Sequence, residues 1–348
     1  MPERLIELDE FLALRAKLPL IDARSEKEFQ QSTIPESINI PILNDEERKI
    51  VGTLYKEEGN EAAVLKGFEL VGPRFHEIQK IALQKFPGKK VLIYCWRGGM
   101  RSQILSWLLG MVGFEIFRLK GGYKTYRTRT FELVRKEYPL VILAGRTGTG
   151  KTRLLKSLEQ EGEQVIDLED LANHKGSSFG GIGQPSQPSV EQFENLLAES
   201  LIKLNKNNRI WVENESRRIG KAILPDTFYN QMLEAPLVSI LKTRKERIDL
   251  IKEEYGSLDR DALIQAVLRL QKKLGGLRTK QIIELIKADE KEKWIEMTLD
   301  YYDKAYDFDL KNHKTHYTFE LDLSSKSEED SINELIYVRE KFERTLAG

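Results

Sequence analysis

Short apolar runs alternate with longer polar, helix-forming stretches along the whole chain. In the first 130 residues the runs are Leu20-Ile21-Asp22, Ile38-Asn39-Ile40, Val91 to Tyr94 and Phe114 to Leu119. Each is too short for a helix and predicts a buried strand. Between them, Ser25-Glu26-Lys27-Glu28 carries a helix-start pattern, and residues 43–86 read as helical with breaks at Gly59, Gly67 and Gly72-Pro73. A further helix is expected from Ser102. The second half repeats the alternation. Pro139 to Ala144, 164–168, 209–213 and 236–241 predict strands, and 151–160 and 190–204 predict helices. Ser189 with Gln192 forms a capping pattern for the second of these helices, and Phe193, Leu196, Leu197, Leu201 and Leu204 share one face of it. Residues 176–189, rich in Gly, Ser, Pro and Gln, read as a loop. Residues 243–306 read as mostly helical, Tyr317 to Leu323 as a final strand, and the rest as a C-terminal helix. Buried strands that alternate with helices imply parallel sheets and an α/β fold.

Composition narrows this picture. A chain of 348 residues suggests two domains, or three small ones. The expected limits are 1–130 and 138–348, with a helical extension at about 243–306. The 55 Lys and Arg balance the 55 Asp and Glu, so any nucleic-acid contact must use a local patch. A single cysteine excludes an intramolecular disulfide framework and cysteine-based zinc sites. Four histidines leave little for a metal cluster, and no resident metal site is expected. No apolar run approaches membrane-spanning length and no signal-peptide pattern opens the chain, so a cytoplasmic location without membrane contact is expected.

Two segments carry candidate chemistry. Cys95 follows the strand 91–94 and opens Cys95-Trp96-Arg97-Gly98-Gly99-Met100-Arg101-Ser102, with an apolar helix after it. A strand, a glycine-bearing loop and a helix start aim backbone N–H groups at one point and hold an anion. Arg97 and Arg101 add positive charge, so Cys95, Arg97 and Arg101 are the candidate catalytic residues. The second segment, Gly145-Arg-Thr147-Gly148-Thr149-Gly150-Lys151-Thr152, matches the phosphate-binding loop pattern in full, between a strand and a helix. Its glycines let N–H groups wrap a diphosphate, Lys151 reaches the outer phosphates, and the Thr152 hydroxyl suits Mg²⁺. Asp167 and Glu213, with Glu215 close by, are candidate metal-side carboxylates at strand ends. For nucleic acid, Arg269, Lys272 and Lys273 would share a helix face in a stretch without acidic residues, and Arg217, Arg218 and Lys221 form a second basic cluster. Trp96 offers a stacking surface, which packing or loop support explains at least as well, and His174 an acid–base group, for which a hydrogen-bonded structural histidine is the default reading.

The N-terminal half resembles the rhodanese family. Ile21-Asp22-Ala23-Arg24 to Phe29 with Ile34 to Pro41, then Cys95 to Ser102, then Leu119-Lys-Gly-Gly-Tyr123, are similar to that family's opening, active-site and closing motifs. Followed by the phosphate loop and by Asp167 to Gly180, these motifs resemble the tRNA 2-selenouridine synthases. The resemblance implies a rhodanese-like parallel-sheet domain, then an α/β domain of the P-loop NTPase type with a helical C-terminal part. It implies a transferase that acts on tRNA with 2-thiouridine at the wobble position. S-geranylation with geranyl diphosphate would come first, then replacement by selenium from selenophosphate, with Cys95 carrying the selenium. Both small molecules would be substrates, with no tightly bound cofactor and Mg²⁺ at most as a helper. Two other readings fit parts of the chain: a nucleotide-dependent sulfurtransferase, and a cysteine phosphatase, because Cys95 and Arg101 also show the phosphatase spacing.

Overall fold

A computed structural model describes residues 3–256 and 258–346. The outermost residues of the expected domains, 1–2 and 347–348, and residue 257 lie outside the described residues. The chain divides into two units, Met1–Glu132 and Leu133–Gly348.

The first unit holds strands β1 Glu3–Ile6, β2 Leu20–Asp22, β3 Ile38–Asn39, β4 Lys90–Tyr94 and β5 Glu115–Leu119. Its helices are α1 Leu8–Arg15, α2 Glu26–Gln31, α3 Asp45–Glu57, α4 Asn60–Val71, α5 Phe75–Lys85, α6 Met100–Gly110 and α7 Gly122–Leu133. The strands form one parallel sheet in the order β1-β5-β4-β2-β3. Alternation along β4 sends Val91 and Ile93 to one core and Leu92 and Tyr94 to the other. The Ser25–Glu28 capping box starts α2 as its sequence predicts. Gly67, by contrast, lies inside α4 and breaks nothing, since α4 packs along α3 and a single interior glycine is tolerated in a packed helix. Helix α6 begins at Met100, two residues before Ser102, whose hydroxyl turns back to the Gly99 carbonyl. The edge strand β1 is mostly exposed and shows no apolar run.

The second unit holds β6 Leu140–Gly145, β7 Gln164–Ile166, β8 Ile210–Glu213, β9 Arg218–Ile219, β10 Ala222–Ile223, β11 Leu237–Leu241 and β12 Thr318–Asp322. Five of these form a parallel sheet in the order β12-β11-β6-β8-β7, while β9 and β10 pair as a small antiparallel ribbon. Its helices are α8 Lys151–Gln160, α9 Leu168–Leu171, α10 Val190–Lys203, α11 Asp226–Glu234, α12 Arg244–Tyr255, α13 Arg260–Arg269, α14 Gln271–Leu274, α15 Gly276–Lys287, α16 Lys291–Asp309 and α17 Glu328–Leu346. Strand β6 is buried throughout and lies between β8 and β11, so the phosphate loop leaves the centre of the sheet. Helices α12 to α16 build a core of their own around Phe179, Ala266, Ile282 and Trp294. Strand β7 stops at Ile166, short of the expected 168, because the Asp167 side chain caps α9. The expected single helix face of Arg269, Lys272 and Lys273 is not formed: α13 ends at Arg269 and α14 begins at Gln271.

Candidate active sites

Cys95 sits at the C-terminal end of β4, where parallel sheets place ligands. It continues the face of Val91 and Ile93 and is 3% exposed. Its Sγ lies 3.2 Å from Ser102 Oγ and 3.7 Å from the Gly99 carbonyl oxygen. The closing motif locks the loop. Tyr123 N–H donates to the Cys95 carbonyl (2.8 Å), Lys124 N–H to the Trp96 carbonyl (3.0 Å), and the Arg118 guanidinium to the Gly98 carbonyl. Gly122 has a φ of +61°, and a Cβ there would lie 2.2 Å from Cys95 O and 2.4 Å from Gly98 N. Only glycine allows this approach.

The two loop arginines have different surroundings. Arg97 is exposed and has no ion-pair partner among the described residues. Arg101 is bound through both terminal nitrogens to Glu28 and is not among the partners of the thiol. Burial would raise the Glu28 carboxyl, but Arg101 outweighs it and holds the group below the usual carboxylate range. A support that sequence patterning alone did not single out is Arg24. It is fully buried, pairs with Asp22 at 2.6 Å, and lies over the Tyr123 ring at 4.1 Å. Burial opposes its charge, and the Asp22 carboxylate more than restores it. Trp96 packs on Tyr123 at 5.6 Å between centroids, so at least one face of its ring supports the loop.

In the second unit the phosphate loop is folded and braced. Gly148 and Gly150 have φ of +82° and +83°. A Cβ on Gly148 would lie 2.7 Å from the Arg247 carbonyl oxygen, and the Arg247 guanidinium in turn donates to the Thr147 carbonyl at 2.9 Å. Asp303 neutralises Arg247 from behind. Lys151 Nζ donates to the Gly145 carbonyl at 2.9 Å. Gly145, Thr147, Gly148, Gly150, Lys151 and Thr152 line a cavity of about 650 Å³. Thr149 is buried below it, its hydroxyl closing the loop on the Arg146 carbonyl at 2.8 Å.

A carboxylate group meets this loop, in part where the sequence predicts it. Glu213, at the end of β8, is buried; one oxygen accepts the Glu169 N–H at 2.7 Å and the other has no partner. Burial raises its pKa well above the ordinary carboxylate value. Asp167 does not line the cavity. Its side chain accepts the Asp170 N–H at 2.8 Å and faces a separate 220 Å³ cavity beside Lys156. Glu169 is there instead, and Thr152 Oγ1 donates to it at 3.2 Å. Glu169 falls within the Asp167 to Gly180 segment that carries the family resemblance, but no residue pattern singles it out as the carboxylate that meets the loop. Glu169 also hydrogen-bonds Glu215, so one of the two holds a proton; burial and the Glu169 charge push Glu215 up to about 8.

The oxygens of Thr152 and Glu213 suit a hard cation such as Mg²⁺. Among the described residues no three His, Cys, Asp or Glu side chains are placed to hold a metal by themselves. Phosphate and water oxygens would therefore have to complete the shell, as Mg²⁺ prefers. The cavity also has apolar and aromatic lining, from Tyr229, Leu233, Leu250, Tyr301, Ala305 and Tyr306.

The basic candidates are dispersed. Arg217 pairs with Asp226, and Arg218 turns to the Gly220 carbonyl. Lys272 is exposed. Arg269 donates to the Ser178 carbonyl at 2.9 Å and, with Lys273, lines a second cavity beside the first. His174 lines that cavity too, and burial with the Arg269 charge keeps its pKa low.

Sequence comparison matches residues 138–330 to the family described as "tRNA 2-selenouridine synthase AAA domain" and residues 7–129 to "Rhodanese-like domain". The tRNA 2-selenouridine synthase of Sulfurovum sp. (strain NBC37-1) is 37% identical over 336 residues, which cover 86% of this chain and 91% of that protein. That of Marinobacter nauticus (strain ATCC 700491) is 36% identical, covering 87% of this chain and 92% of that one. Among solved structures, the N-terminal domain of a Clostridium difficile 630 protein is 35% identical with a TM-score of 0.33, covering 36% of this chain and 96% of that domain.

Proposed function

The chain belongs to the tRNA 2-selenouridine synthase family, and on that premise we propose that it exchanges the 2-thio sulfur of a tRNA wobble uridine for selenium. The exchange proceeds in two steps. First the thiocarbonyl sulfur attacks C1 of geranyl diphosphate; the C–S bond forms, the C1–O bond breaks, and its electron pair leaves with diphosphate. Then the selenium of selenophosphate, held at the Cys95 loop, adds at C2; the C–S bond breaks and its electron pair leaves with the geranylthiolate, and water attack on phosphorus breaks the Se–P bond and releases phosphate. An S-alkylated sulfur is a far better leaving group than a thiocarbonyl sulfur, which is why the prenyl step comes first.

The observation that carries this reading is the mixed lining of the cavity of the second unit. It combines a phosphate cradle, with Lys151 and the glycine N–H groups, and tyrosine and aliphatic side chains. Such a pocket is suited to a ligand with a diphosphate head and an apolar tail, and about 650 Å³ is ample for a C10 chain plus its head group. Lys151 and the loop N–H groups offset the charge that grows on the departing diphosphate. Mg²⁺ held by Thr152 and Glu213 would add charge compensation at the same oxygens. In the first unit, the buried, glycine-locked Cys95 loop beside exposed Arg97 is a suitable seat for a chalcogen anion.

The test is reconstitution with thiolated tRNA, geranyl diphosphate and selenophosphate, each omitted in turn, with nucleoside analysis by mass. S-geranyl-2-thiouridine should form without selenophosphate, and 2-selenouridine only with all three. Absence of both products in the complete mixture, or a strict need for a nucleoside triphosphate, would overturn the proposal.

A further inference from the structure

Beside the P-loop cavity lies a second, more open one of about 810 Å³. The two share Gly176, Ser177, Lys273, Tyr301 and Tyr302. Their charge differs. In the first, five glutamates and Asp309 accompany Lys151, Arg153, Lys175 and the shared Lys273, whereas Lys221, Arg269 and Lys273 line the second and no Asp or Glu does. In a chain with balanced charge, a groove with cations only is a local device. Lys221 and Lys273 are exposed and have no ion-pair partner among the described residues, so their charge is available to a ligand.

The groove is also built in advance. The Gln187 amide donates to the Ala172 and Ile219 carbonyls (3.0 and 3.1 Å) and accepts the Lys221 N–H at 2.9 Å. Gly220, with φ of +60°, lets Gln187 approach, since a Cβ there would lie 2.3 Å from its amide oxygen. Arg269 and the Tyr302 hydroxyl hold the Ser178 backbone from two sides, at 2.9 and 3.2 Å. Tyr301 stands at the shared rim, half-buried, with the Tyr302 ring edge-on against it at 5.2 Å.

We propose that this groove holds the phosphates of the RNA strand next to the target nucleotide, and that Tyr301 receives the target base by stacking at the rim. Unpaired cations along a groove track a single-stranded backbone, and an aromatic platform accepts an unstacked base. The shared rim then lets a base reach the diphosphate cavity while its flanking phosphates stay in the groove that no carboxylate lines. This rests on the reading that the substrate is tRNA.

The probe is a synthetic anticodon stem-loop with 2-thiouridine at the wobble position, titrated against the full chain over a range of KCl. Neither Lys221 nor Arg269 lines the P-loop cavity. In Lys221→Ala/Arg269→Gln, RNA affinity should fall and the slope of log K against log salt should flatten by roughly 1.4, at about 0.7 per lost single-strand phosphate contact. Geranyl diphosphate affinity should stay as in the wild type, and the variant should still unfold cooperatively, at a midpoint lowered by loss of the Arg269 bond to Ser178. Lys221→Glu, a surface charge reversal, should weaken RNA further than Lys221→Ala. Tyr301→Ala should cost about 10- to 100-fold in RNA affinity, the range for loss of one stacked base, and Tyr301→Phe should restore it. RNA affinity and salt slope unchanged in the folded variants would overturn the proposal, as would parallel loss of geranyl diphosphate binding in the double variant. If the variants lose RNA but the wild type forms no S-geranyl nucleoside, the groove stands and the functional reading falls.

Discussion

At Gly122 a single methyl group decides whether the cysteine loop can close. The added Cβ would sit within 2.4 Å of both Cys95 O and Gly98 N, at a φ that side chains rarely adopt. The left-handed conformation alone costs about 1–2 kcal/mol, and the clash must also be relieved by moving the loop. Gly122→Ala should therefore lower the thermal midpoint and abolish Cys95-dependent chemistry while geranyl transfer persists; wild-type selenation in this variant would show that the lock is dispensable. A second residue, Glu215, sets a pH dependence. Its folded pKa is about 8, against an ordinary value of 4.5. The folded state thus keeps a proton that the unfolded state releases, so its contribution is complete below about pH 4 and is lost as pH rises toward 8. Without added metal, wild-type stability should fall between pH 5 and 8 by at most about 1.4 kcal/mol per pH unit from this proton. Glu215→Gln should flatten that fall in urea unfolding at pH 5.5 and 8.0; an unchanged slope would show that Glu215 does not titrate there. Cys95 and the glycines of both loops are legible in sequence because their chemistry is contiguous. Glu169 is not, because its contacts to Thr152, Glu213 and Glu215 exist only once three separate segments meet.

At the level of elements, apolar runs located the central strands because a parallel sheet buries both faces of each strand. The same rule hides β1, an edge strand with an exposed pattern, and the two-residue strands β9 and β10. Helix α8 matches its expected span, since a glycine loop marks its start and an apolar stripe its face. The break between α13 and α14 escaped periodicity because Leu270 keeps helical angles while the chain turns. Two elements of the first unit are tied through one residue. Glu28 completes the capping box of α2 and also binds Arg101 in the first turn of α6. Arg101 is thereby cast as a positioning residue, and the phosphatase-like spacing loses its arginine to this pair. Glu28→Gln and Arg101→Gln should each destabilise the chain by about 1–3 kcal/mol, because each leaves a half-buried charge short of its partner. Their effects should be non-additive, with a coupling energy of at least about 0.5 kcal/mol in a double-mutant cycle by urea unfolding. Additive losses would mean that the pair does not hold the two helices together.

For the whole molecule, the decisive point is that the two candidate sites occupy two units of one chain, each with its own core and sheet. The order of motifs along the chain made both visible, because each is a strand, a loop and a helix start read in sequence. The apolar lining of the P-loop cavity was not visible, since Leu233, Leu250 and Tyr306 come from three helices and share no pattern. If the units act in succession, their defects must separate. Cys95→Ser should accumulate S-geranyl-2-thiouridine and form no 2-selenouridine. Lys151→Ala should lose geranyl transfer by at least about 100-fold, the usual effect of removing a preorganised charge from a transition state. It should also yield no selenouridine from thiolated tRNA, for want of the intermediate. Given tRNA that is already S-geranylated, however, Lys151→Ala should regain selenation at close to the wild-type rate, and Cys95→Ser should not. Failure of Lys151→Ala on pre-geranylated tRNA would show that the phosphate loop also serves the selenium step, and that the two units do not divide the reaction between them.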